Sequence, residues 1–124
     1  MLYLFSGEQR KTSVAEVLKV LAFEQGTEVE IDEVDICRDP SQDMAILAHQ
    51  QKILQAVEQG LYSAILITPP CSTWSRVRGA NTRGPPMIRS KQWPWGFPWL
   101  ARRFKIQIEV GNTLVRFTIQ VLLV

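Results

Sequence analysis

Histidine and cysteine are scarce in this chain: among 124 residues there is one histidine, His49, and there are two cysteines, Cys37 and Cys71. A single histidine argues against a histidine-rich metal centre and against a Ser-His-Asp triad. The cysteines lie far apart in different contexts, with neither C-x-x-C pairing nor zinc-ligand spacing, so free thiols in a reducing, intracellular compartment (cytoplasm or nucleus) are expected. No stretch approaches about 18 uninterrupted apolar residues, so no membrane span is expected. The start, Met1-Leu-Tyr-Leu-Phe-Ser-Gly7, lacks a basic leader and meets Glu8 at once. It reads as a strand rather than a signal peptide.

Acidic residues are missing from one long segment. From Ser72 to Lys105 there are eight Arg or Lys and no Asp or Glu. Residues 1–60 hold 5 basic and 11 acidic side chains (−6), whereas residues 61–124 hold 9 basic and 1 acidic (+8). The net charge of +2 hides this polarity. An anionic partner for the second half follows from it, nucleic acid being the commonest. Arg76, Arg78, Arg83, Arg89 and Lys91, with Ser75, are the expected contacts.

What is present is a regular alternation of elements. Leu2–Phe5 is a short apolar run closed by Ser6-Gly7, a buried strand entering a turn. Thr12 or Ser13 caps the next helix, with Glu16 at the capping-box position, and Val14, Val17, Leu18 and Leu21 share one face. Residues 28–36 form a second strand, and 44–57 carry a second helical pattern that stops at Gly60. Ala64–Ile67 is a continuous apolar run, the pattern of a central parallel strand covered on both faces. Strand–helix–strand–helix–strand implies a parallel sheet with right-handed crossovers. The expected organisation is one domain over 1–124. It comprises a βαβαβ core over 1–75, a basic Pro/Trp-rich loop over 76–105, and a helix over 106–124 packing on the sheet. The apolar end, Val-Leu-Leu-Val124, is read as a sign that the chain is incomplete.

Ligands of open α/β sheets bind at the carboxyl ends of the strands. Three segments are placed there: Phe5-Ser6-Gly7, Asp35, and Thr68-Pro-Pro-Cys-Ser-Thr-Trp-Ser75. Gly7 permits close backbone approach, and an acid at the end of strand two can accept hydrogen bonds from ribose hydroxyls. Cys71 follows a buried strand and two prolines that direct the loop. Arg76 and Arg78 near it favour the thiolate.

Pro70-Cys71-Ser72-Thr73-Trp74-Ser75 resembles the Pro-Cys-Gln-x-Phe-Ser motif of DNA cytosine-5 methyltransferases, and Leu4-Phe5-Ser6-Gly7 resembles their Asp-Leu-Phe-x-Gly cofactor motif. The resemblance covers residues 1–78. It implies an α/β, Rossmann-like class I methyltransferase fold that uses S-adenosylmethionine. It also implies DNA rather than RNA as the partner. Under it, Cys71 attacks C6 of a flipped-out cytosine, Pro70 shapes the loop, and Ser72 and Ser75 lie near the target nucleotide. Phe5, Ser6 and Gly7 meet the amino-acid end of the cofactor, and Asp35 meets its ribose. The chain departs from the family at Tyr3, where an acid stands, at Gln9, a glycine, and at Ser72, a glutamine. It shows no later Glu-Asn-Val segment. Two alternatives stay open. Thr68-Pro-Pro-Cys71 also resembles the Asp-Pro-Pro-Tyr motif of amino-methyltransferases, which need no cysteine nucleophile. A non-catalytic nucleic-acid-binding module of the same fold is the other.

Overall fold

The computed structural model describes residues 1–80 and 82–124. The loop expected over 76–105 therefore includes one position, Asn81, outside the described residues. Three parallel strands, β1 (Leu2–Leu4), β2 (Asp32–Val34) and β3 (Ile65–Ile67), form one sheet in the order β2-β1-β3. Leu2 stands opposite Asp32 on one side and Ile65 on the other. Three helices accompany them: α1 (Val14–Glu24), α2 (Leu47–Glu58) and α3 (Arg102–Leu123). The architecture is a small α/β sheet flanked by helices.

The strand order corrects one expectation. β1, not β3, is the central strand, and Leu2 and Leu4 have no solvent exposure. β3 lies at an edge with all three residues only half-buried. An apolar run reports apolar surroundings, not position in the sheet, so the two readings share one sequence pattern.

Because β2 and β3 flank β1 on opposite sides, right-handed crossovers put α1 and α2 on opposite faces. The packing agrees. Leu2, Leu4 and Val34 cluster with Met44, with Ile53, Leu54 and Val57 of α2, and with Leu114, Phe117 and Val121 of α3. Leu114, Phe117 and Val121 recur at 3- and 4-residue steps, the stripe a helix needs to cover one sheet face. α1 adds nothing to that cluster, and Val17, Leu21 and Phe23 remain exposed.

Local signals explain the helix ends. Ser13 Oγ accepts the Glu16 N–H at 3.4 Å, the expected cap, while the Glu16 carboxylate turns forward to Lys19 at 3.2 Å instead of closing the box. The second helix begins at Leu47, three residues later than expected: a 3-10 turn over Pro40–Gln42, capped by Asp39, comes first. Met44 is buried in the connecting turn. The third helix begins at Arg102, inside the segment expected to be loop, because no proline follows Pro98 to interrupt it. β2 is likewise shorter than the 28–36 expected. Among the described residues no helix is long and apolar enough to cross a membrane.

Candidate functional site

Two places gather the residues singled out by sequence. The first is the edge of the sheet at the carboxyl ends of β1, β2 and β3. Phe5 leaves β1 with φ +63°, a left-handed conformation that costs a side-chain-bearing residue on the order of 1 kcal/mol. Gly7 follows at φ +74°, and nothing lies within 4 Å of where its Cβ would be, so the space above it is open. Between them, the Ser6 hydroxyl is buried without a hydrogen-bond partner. A buried hydroxyl left unpaired costs about 1–3 kcal/mol, so this one turn holds both a strained backbone and an unsatisfied polar group.

Hydrogen bonds tie the three strand ends together. The Gly7 N–H donates to Asp35 Oδ2 at 2.9 Å, and the Cys37 N–H donates to Asp35 Oδ1 at 2.8 Å. Thr68 Oγ1, just past β3, donates to the Phe5 carbonyl at 2.9 Å. Burial pushes the Asp35 carboxyl up, but the N–H groups of Cys37 and Gly7 and the charge of Arg38 outweigh it and hold it below the usual carboxylate range. Asp35 is thus an ionised acceptor, engaged by the Gly7 and Cys37 N–H groups and by the Cys37 thiol. Arg38, which sequence reasoning passed over, donates to the Gly7 carbonyl at 2.9 Å and pairs with Glu33 at 2.8 Å. Its cue is weak: one arginine within an acidic run.

The second place is where the loop after β3 meets α3. Cys71 and Ser72 are exposed, and the Trp74 N–H closes a turn on the Cys71 carbonyl at 2.9 Å. Pro70 and Ser72 line a cavity of about 270 Å³ against Gln107, Val110 and Gly111 of α3. Ser75, Arg76, Arg78, Arg89 and Lys91 share a neighbouring cavity of about 300 Å³ with Trp74 as an apolar wall. Sequence proximity alone did not require those five to meet. Arg83 lies outside that lining, against a third cavity with Pro85 and Arg103.

The basic residues divide into two kinds. Arg76, Arg83 and Lys91 are exposed, whereas Arg78 and Arg89 are buried, at 8% and 5% exposure. Arg78 Nε donates to the Pro86 carbonyl at 3.0 Å and its Nη2 to Gln107 Oε1 at 3.2 Å. Arg89 Nε donates to Thr73 Oγ1 at 3.2 Å, and its Nη1 to Asn112 Oδ1 at 2.7 Å and the Pro94 carbonyl at 2.8 Å. Burial, with the Arg78 charge second, lowers the Arg89 pKa to about 10, so it is charged at neutral pH. These two guanidinium groups fasten the loop to α3, and their donors are directed inward. Ser75 also has a structural duty, accepting the Val77 N–H at 3.3 Å to cap a 3-10 turn over Arg76–Gly79.

The Asp35 carboxylate beside Cys37, by hydrogen bond and then by charge, pushes that thiol up and keeps it protonated. Among the described residues no cluster of three or more His, Cys, Asp or Glu side chains is placed to hold a metal ion. No family model matches the chain, and no curated protein or solved structure matches it either.

Proposed function

We propose that the chain is a Rossmann-like, S-adenosylmethionine-dependent methyltransferase-type unit acting on nucleic acid. One observation carries the reading. The strand order β2-β1-β3 puts the reversal of strand order beside β1, and the strained Phe5-Ser6-Gly7 turn and the Pro69-Pro70-Cys71 loop lie at that end of the sheet. The carboxyl end of the strands at such a reversal is where open parallel sheets take nucleoside ligands.

The residues present fit that cofactor. Asp35 is an ionised acceptor for the ribose hydroxyls, and the open space above Gly7 admits the chain of the ligand against the backbone. S-adenosylmethionine supplies, when bound, an electrophilic methyl group. The work of the protein is to orient it and to present the substrate base. Exposed Cys71, in the loop that leaves β3 at the carboxyl end of the sheet, is the nucleophile of the cytosine-5 reading. Arg76, Arg83 and Lys91 supply phosphate contacts, a salt-sensitive and sequence-blind contribution. Arg78 and Arg89 enter this reading as positioning residues.

The test is transfer of a labelled methyl group to DNA by the wild-type chain and by Cys71→Ser. Loss of transfer with cofactor binding retained supports the cysteine mechanism. Transfer that survives the substitution rules it out and favours amino-methyl transfer. A wild-type chain that binds DNA but never transfers a methyl group is the non-catalytic binding module.

A further inference from the structure

The segment Trp93–Trp99 is held at its backbone and open at its side chains. Asn112 Nδ2 donates to the Trp95 carbonyl at 3.1 Å, Arg89 Nη1 to the Pro94 carbonyl at 2.8 Å, and the Phe97 N–H to the Ile88 carbonyl at 3.0 Å. Gly96, at φ +110°, lies so close to α3 that a Cβ there would stand 2.7 Å from Ile108 Cγ2. With the backbone clamped at these points, the rings face outward. Trp99 is 67% exposed and Trp95 47%. Trp99 stacks on Phe97 with centroids 5.0 Å apart and planes 9° from parallel, and Trp93 meets its edge at 5.9 Å. The Arg116 guanidinium sits 5.1 Å from the Trp95 ring.

We infer that this loop is a stacking platform for single-stranded nucleic acid. A core-packing role would turn the indoles inward, and the clamp does the reverse. The platform lies between Lys91 on one side and Arg102 and Arg103 on the other, all exposed, and beyond Glu58 the chain has a single acid, Glu109. The partner it complements therefore bears flat π faces and repeated negative charge. Duplex bases are already stacked on one another, so only an unpaired strand offers them to a tryptophan. An anionic membrane fits less well: the exposed apolar side chains of this loop are rings and prolines, with no exposed aliphatic chain to enter the acyl layer. The inference does not depend on methyl transfer, since a chain that binds no S-adenosylmethionine would still bind the strand.

Fluorescence anisotropy with a labelled 20-residue oligothymidylate, an oligouridylate of equal length and a DNA hairpin duplex tests it on the full chain. Both single strands are expected to bind more tightly than the duplex and to quench tryptophan emission. Trp99→Ala weakens single-strand binding by roughly 5- to 100-fold, as for loss of one base–aromatic stack. Trp99→Phe restores most of it, and Trp99→Ala lowers Tm only slightly, since the ring is largely exposed and its ring contacts are with Phe97 and Trp93. Equal affinity for duplex and single strand, or unaltered affinity in both Trp99→Ala and Trp95→Ala, overturns the inference. So does co-sedimentation with phosphatidylserine vesicles that Trp99→Ala abolishes, which reassigns the loop to a membrane surface.

Discussion

The guanidinium carbon of Arg89 lies 3.5 Å from the centroid of the Trp74 ring. This contact helps join the loop after β3 to the segment leading into α3. Around it Arg89 donates to Thr73, Pro94 and Asn112, so one cation serves three chain segments. Gly111 belongs to the same arrangement. A Cβ there would meet Thr73 Oγ1 at 3.0 Å and Arg89 Nη2 at 3.1 Å, so the helix comes close only because that residue has no side chain.

Arg89→Met keeps the length of the side chain and removes every donor. The acceptors on Thr73, Pro94 and Asn112 are then left without it, and a loss of about 2–4 kcal/mol is expected. Thermal unfolding should show Tm lower by on the order of 10 °C. Arg76→Met, at an exposed position, should change Tm little.

Gly96→Ala tests the clamp of the tryptophan loop. The left-handed φ of +110° and the approach to Ile108 both oppose a side chain there. A loss of about 1–3 kcal/mol is expected. Faster hydrogen exchange at the Phe97 amide is the local sign, since that N–H is held by the Ile88 carbonyl.

The alternation of strands and helices is legible in sequence because each element carries its own period and its own stop. Leu2–Leu4, the Ser13 cap and the stripe ending at Val121 are local facts. Strand order is not local, so the apolar Ile65–Ile67 reads as a central strand although it forms an edge. The same limit applies to Arg89. An arginine in an acid-free stretch reads as a phosphate contact, and its burial depends on Thr73 and Asn112, 16 and 23 positions away. The meeting of Gly7 with Asp35 was legible, because parallel topology brings the ends of adjacent strands together whatever lies between them.

Asp35 gives two pH-dependent expectations. Its folded-state pKa is depressed, so its contribution to stability is present above the ordinary value near 3.8 and is lost as pH falls through the lower folded value. Asp35→Asn should weaken the fold at neutral pH by about 1 kcal/mol and flatten the acid limb of the stability profile. The same carboxylate raises the Cys37 thiol. Removing its charge lowers that pKa, so alkylation of Cys37 followed by mass spectrometry at pH 8 should run faster in Asp35→Asn than in wild type, with Cys71 as the internal reference.

The central claim is that the sheet edge of Phe5-Ser6-Gly7, Asp35 and the Pro-Pro-Cys loop binds S-adenosylmethionine, and isothermal titration of the wild-type chain with that cofactor tests it most directly. The account predicts saturable 1:1 heat that Gly7→Val abolishes, and that Asp35→Ala weakens by roughly tenfold, the loss of about 1.4 kcal/mol of hydrogen bonding. No saturable heat at cofactor concentrations up to about 1 mM, where even a −4 kcal/mol interaction half-fills the site, would contradict it.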